Sequence, residues 1–131
     1  MTQVSAKDWS KKSILVAEDD NSNYLLLYEM LLPTKAKMIR AINGKEAITI
    51  YESSKNFDLI LLDIKMPIMD GLETATYIRE TDKETPIIAQ TVYGNTEFQE
   101  KAKKVGFTEI IIKPIIQDIF LSTLAIYLED N

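Results

Sequence analysis

The sequence predicts an α/β domain: a parallel sheet with helices on both faces. Short apolar runs at 14–17, 36–40, 59–62, 87–90 and 110–112 alternate with segments of helical spacing. The run at 59–62, Leu-Ile-Leu-Leu, is too short for a helix and holds no polar residue, as expected of a strand buried on both faces. Strands that alternate with helices imply βαβ units, whose crossovers are right-handed.

Each element has its own signal. The first strand, 14–17, runs into Glu18-Asp19-Asp20. Tyr24, Leu27, Tyr28, Leu31 and Leu32 then recur with helical spacing as one predicted apolar face, and Pro33 ends that helix. The second strand, 36–40, leads to Ala41-Ile42, which offer no chemistry. Asn43 with Glu46 three residues later reads as an N-cap opening a helix to about residue 52. The third strand stops at Asp63, and Met66-Pro67 and Asp70-Gly71 force a loop before a helix over 72–80. The fourth strand ends at Thr91 and is followed by a helix over 97–105. The fifth ends at Lys113-Pro114, and Ile116, Ile119, Phe120, Thr123, Leu124, Tyr127 and Leu128 mark a last amphipathic helix.

At 131 residues the chain has the length of one domain. Residues 1–12, which include the only tryptophan, read either as a linker from a longer parent or as a loose N-terminal tail, with the folded domain at 13–131. A formal charge of −5 argues against binding nucleic acid or an anionic membrane surface. There is no cysteine and no histidine. Thiolate and imidazole chemistry are therefore excluded, and only carboxylates, Lys, Thr, Ser and Tyr are left to act. Residues 1–13 lack the apolar segment of a signal peptide and no run is long enough to span a membrane, so a cytoplasmic location is expected.

The strand ends bring the chemistry together. In an open α/β sheet, ligands bind outside the carboxyl ends of the strands. Glu18, Asp19, Asp63, Thr91 and Lys113 all fall on that edge. A lone acidic strand end is usually a helix cap, and an acidic solvated loop tip is the alternative for Glu18 or Asp20 alone. Together, Glu18, Asp19 and Asp63 concentrate negative charge that a proton or a cation must relieve. Oxygen ligands without His or Cys favour Mg²⁺ or Mn²⁺ over zinc. Beside such a cation Asp63 can act as a carboxylate nucleophile and form an acyl phosphate. Lys113 would then pair with the phosphoryl oxygens and the Thr91 hydroxyl would donate to one of them.

The segments Ile14-Leu15-Val16-Ala17-Glu18-Asp19, Leu61-Leu62-Asp63-Ile64-Lys65-Met66-Pro67-Ile68-Met69-Asp70-Gly71, Pro86-Ile87-Ile88-Ala89-Gln90-Thr91 and Ile111-Ile112-Lys113-Pro114 resemble, in order and spacing, the receiver domain of two-component response regulators. The resemblance implies a flavodoxin-like, doubly wound (βα)5 fold with strand order 2-1-3-4-5. It implies a phosphoacceptor, Asp63, charged by a histidine kinase or a histidine phosphotransfer domain. It also implies Mg²⁺ held by Glu18, Asp19, Asp63 and the Lys65 backbone carbonyl, with Thr91 as switch hydroxyl and Lys113 as phosphate-binding lysine. Such a domain is no enzyme beyond its own phosphoryl transfer and dephosphorylation. The Glu-Asp start resembles receivers attached to hybrid histidine kinases, and the Lys113–Pro114 bond is expected to be cis.

Some positions depart from the family. Val92 follows Thr91 where a small residue is usual, and Ile110 stands where a Tyr or Phe is common. Lys65 and Tyr93 stand at positions that border the phosphate in the family and offer no carboxylate or amide to orient water, so the resemblance implies slow phosphate loss. Ile110 is short and stiff at χ1, which moves the expected switching onto the loop from Thr91 to Tyr93 and the helix after it. A dehalogenase-type phosphatase needs a second Asp where Lys65 stands, and the acidic first loop would repel the phosphate of a flavin. The remaining alternative is a receiver-like binding module that is not phosphorylated in its working cycle.

Overall fold

In the computed structural model, residues 7–54 and 56–129 are described. Five parallel strands, β1 (Ser13–Ala17), β2 (Lys37–Ala41), β3 (Leu59–Asp63), β4 (Ile87–Thr91) and β5 (Glu109–Ile112), lie in the order β2-β1-β3-β4-β5. The helices are α1 (Asn21–Leu31), α2 (Gly44–Ser54), α3 (Gly71–Arg79), α4 (Thr96–Val105) and α5 (Gln117–Leu128). Fold class and strand order agree with expectation, and the ends of elements differ from the predicted ones by a residue or two. Among the described residues, no helix is long and apolar enough to cross a membrane.

Alternate strand residues face opposite sides, so the sheet feeds two cores. Leu15, Ala17, Ile60, Leu62, Ile87 and Ala89 pack against α2, α3 and α4. Ile14, Val16, Leu59, Leu61, Ile88 and Ile111 pack against α1 and α5. β3 and β4 are buried at every position, which is why they read as unbroken apolar runs. β5 is an edge strand with Ile112 43% exposed, so its apolar run does not mark burial.

Local signals set the helix starts. Asn43 caps α2 as its spacing predicted, accepting from the Glu46 N–H (2.8 Å), and the Glu46 carboxylate accepts from the Ile42 N–H (2.9 Å), one residue before the cap. Asp70 and Glu73 form a reciprocal capping box at α3. Asp20 caps α1, its carboxylate accepting the Asn23 N–H (3.1 Å).

Two predicted helix faces need correction. On α1 the buried stripe is Leu27, Met30 and Leu31, while Tyr28 and Leu32 are 40% and 57% exposed. On α5 it is Phe120, Leu124 and Leu128, an i, i+4 row, and Ile116 and Ile119 stand exposed. An apolar-rich helix presents several stripes, and only the neighbour it packs against selects one.

Of the segment read as a linker or tail, residues 1–6 lie outside the described residues. Trp9 is buried in the α1/α5 core. Its backbone N–H donates to Thr34 O (2.7 Å) and its indole N–H to Glu129 Oε2 (3.1 Å). The Lys37 N–H donates to Lys12 O (2.9 Å), so residues 9–12 lead into β1 and are tied to the start of β2.

Candidate functional site

The register explains why the acidic residues meet. Ala17 pairs with Leu62 and Asp63 with Gln90, which puts Glu18 level with Asp63 at the carboxyl ends of the two central strands. The loop after β1 continues with Asp19, and the loop after β5 brings in Lys113. Glu18, Asp19 and Asp63 each place one carboxylate oxygen within 4.8 Å of the others. Glu18 and Asp63 are buried and Asp19 is exposed. The Lys113 ammonium lies 3.3 Å from Asp63 Oδ1 and 3.7 Å from Glu18 Oε1, and the Lys113–Pro114 bond is cis.

One ammonium pairs with two of the three carboxylates. Glu18 Oε2 accepts the Asp20 N–H (3.2 Å), whereas Oε1 is buried without a hydrogen-bond partner among the described residues. Burial, and then the Asp63 charge, push the Glu18 carboxyl up to about 7. An orphaned acidic oxygen in a cluster of hard oxygen donors fits a divalent cation of the Mg²⁺ or Mn²⁺ type.

The sign of that shift predicts a pH profile. The raised carboxyl keeps its proton in the fold at a pH where the unfolded chain has lost it. Its contribution is complete below the usual Glu range and is lost as pH rises through about 7. Asp82 behaves oppositely. Burial raises its carboxyl, but hydrogen bonds from Thr85 and Tyr51 outweigh burial and hold it well below the usual range, so its contribution is lost only in acid. In chelator, the melting temperature is expected to fall between about pH 5 and about pH 8, and Glu18→Gln is expected to flatten the decline. A profile that is level over that range in both proteins would contradict the shift.

Thr91 is buried at the end of β4, one residue past the partner of Asp63. Its hydroxyl oxygen accepts the Tyr93 N–H (2.9 Å), which leaves its own proton to donate elsewhere. Tyr93 is 37% exposed and its ring lies 5.9 Å from that of Phe98, while Val92 is 66% exposed. The Lys65 side chain is exposed in the loop after Asp63.

Arg40, at the end of the strand expected to add nothing chemical, corrects that expectation. Its Nε–H donates to Glu18 O (3.0 Å), its Nη1 to Asn21 Oδ1 (2.9 Å), and its guanidinium lies 4.7 Å from the Tyr24 ring centroid. The available signal was a basic residue three positions before Asn43, the cap of α2. Nothing in the local pattern pairs it with the acidic loop.

The family model described as "Response regulator receiver domain" matches residues 14–125. The polar-differentiation response regulator DivK of Brucella anthropi is 31% identical over 121 residues, covering 91% of this chain and 98% of that protein. The hybrid signal transduction histidine kinase I of Dictyostelium discoideum is 32% identical over 98% of this chain, which spans only 8% of the length of that kinase. Among solved structures, the chemotaxis protein CheY4 of Vibrio cholerae superposes with a TM-score of 0.83 at 28% identity, covering 89% of this chain and 98% of that one.

Proposed function

The chain belongs to the response regulator receiver family, and from that premise we propose that Asp63 is the phosphoacceptor. As a receiver domain of two-component signalling it takes up a phosphoryl group and passes on the change of state. The observation that carries the assignment to Asp63 is its carboxylate, buried at a strand end, 3.3 Å from the Lys113 ammonium and within reach of Glu18 and Asp19.

In the proposed transfer an Asp63 carboxylate oxygen attacks phosphorus on a phosphohistidine. The O–P bond forms as the P–N bond breaks, and the leaving electron pair stays on the imidazole nitrogen, which takes a proton. Lys113 pairs with the phosphoryl oxygens as they move onto Asp63, and the Thr91 O–H donates to one of them. Mg²⁺ or Mn²⁺, held by Glu18, Asp19, Asp63 and the Lys65 carbonyl, would supply the remaining neutralising charge. Burial of Glu18 and Asp63 limits water at the acceptor and strengthens each of these contacts.

The donor in this reading is a histidine kinase, a histidine phosphotransfer domain or a parent hybrid kinase. The likeness to the Dictyostelium hybrid kinase supports the last of these. The chain catalyses nothing beyond its own phosphoryl transfer and dephosphorylation, and its formal charge of −5 supports protein partners over nucleic acid or a membrane surface. Incubation with acetyl phosphate and Mg²⁺ is expected to add one phosphoryl group by intact mass. Chelator is expected to prevent it. Full labelling in chelator would defeat the metal reading, and no labelling under any condition would favour a binding module that works without phosphorylation.

Switching is proposed to run through the β4–α4 loop. A ligand shifts a conformational equilibrium only through contacts that differ between the two states. The Thr91 hydroxyl is tied to the Tyr93 N–H, so drawing it toward a phosphoryl group pulls on the loop and on the ring packed against Phe98. With a beryllofluoride mimic, NMR shifts are expected to be largest over 92–97 while Ile110 keeps its rotamer. A rearranged Ile110 beside a static Tyr93 would reverse that assignment.

A further inference from the structure

We propose that Arg40 is a positioning residue for the cation site, holding the loop between β1 and α1 in the shape that lets Glu18 and Asp19 bind. The inference rests on the Mg²⁺ reading above. Arg40 pairs with Val16 in the sheet, so it starts two residues short of Glu18 on the neighbouring strand. One guanidinium edge takes the carbonyl of Glu18 and another takes the side chain of Asn21. The two bonded residues flank Asp19 and Asp20. Arg40 is therefore a brace across the exposed ligand, Asp19, whose position follows from the backbone on either side.

The brace is reinforced. The Glu18 N–H donates to Ala41 O (3.0 Å), so Glu18 is fixed through both of its backbone polar groups, each by a residue at the end of β2. The guanidinium stacks on Tyr24 of α1, which locks its plane against the helix that Asp20 caps. A planar fork with donors in fixed directions can meet the loop, the helix start and a ring at once. A lysine ammonium cannot.

Charge alone does not account for the residue. A positive group beside a cation site weakens cation binding, so what Arg40 contributes to binding is geometry. The two roles predict opposite results. If Arg40 acts by position, Arg40→Lys and Arg40→Ala both raise the Mg²⁺ dissociation constant, by roughly tenfold, in the range seen when groups that orient metal ligands are removed. If it acts only by charge, Arg40→Ala tightens binding and Arg40→Lys leaves it unchanged.

The test is calorimetric titration of the folded protein and its variants with Mg²⁺, with Mn²⁺ binding by electron paramagnetic resonance as a second readout. The half-saturating Mg²⁺ concentration for phosphorylation by acetyl phosphate is expected to rise in step. Asn21→Ala, which removes one arm of the brace, is expected to weaken binding by a smaller factor than Arg40→Ala. This variant keeps the test open if Arg40→Ala does not fold. Wild-type affinity in Arg40→Lys, or in both Asn21→Ala and Arg40→Ala, overturns the positioning role while leaving the metal reading intact. A wild-type chain that does not bind Mg²⁺ overturns both.

Discussion

Asp63→Asn is expected to abolish phosphorylation by acetyl phosphate while leaving the protein folded. The amide has nearly the same shape but lacks the anionic oxygen that must attack phosphorus, so incorporation is expected to drop at least about a thousandfold, below detection by intact mass. The fold has reason to tolerate the change. Asp63 lies beside Glu18, and its charge helps raise the Glu18 carboxyl. Removing it relieves like-charge crowding, so the melting temperature is expected to hold or rise even though Lys113 loses its nearer partner. Lys113→Ala is expected to be less severe, a loss of about a hundredfold, because it removes one stabilising group and not the nucleophile. Undiminished labelling of Asp63→Asn would mean that another residue accepts the phosphate. A collapsed melting temperature would mean that Asp63 is chiefly structural.

Gly71→Ala is expected to damage both stability and activity. A Cβ there would lie 2.4 Å from Asp63 O and 2.9 Å from Ile64 Cα. Both are backbone atoms that cannot rotate aside. The Gly71 N–H also donates to Ile64 O (2.9 Å), which pins the start of α3 to the end of β3. To admit a methyl group, α3 must back away or the Asp63 carbonyl must move. The expected cost is about 3 kcal/mol, near the upper end for overpacking, or roughly 10 °C in melting temperature for a domain of this size. Because the displaced atom belongs to the proposed acceptor, the phosphorylation rate is expected to fall by tenfold or more even in the folded fraction. Gly94→Ala is the control, since its Cβ would meet only the movable tip of Ile112, 3.3 Å away. Equal melting temperatures for the two variants would show that the close approach at Gly71 is not rigid.

Much of the site was legible because it lies at strand ends. In β3 the unbroken apolar run marked a central strand, and the carboxylate after it marked the ligand-binding edge. Glu18, Thr91 and Lys113 stand at strand ends in the same way; the register sets Glu18 level with Asp63, and the loop after β5 brings Lys113 to within 3.3 Å of it. At β2 the two residues predicted to follow the strand offer no chemistry, and the residue that reaches the acidic loop is the arginine within it. Arg40 matters through contacts to Glu18, Asn21 and Tyr24, which come from a different strand, loop and helix.

Local pattern by itself determined the alternation of strands and helices, the cap at Asn43, and the set of oxygen donors on one edge. These are short-range consequences of side-chain period, turn chemistry and charge. The tertiary structure alone decided which stripe of α1 and α5 is buried, that Trp9 joins the α1/α5 core, and that Arg40 braces the acidic loop. It alone also raised the Glu18 carboxyl, by burying it beside Asp63. Each of these depends on groups far apart in sequence meeting at contact distance, where packing and a low dielectric set the energy.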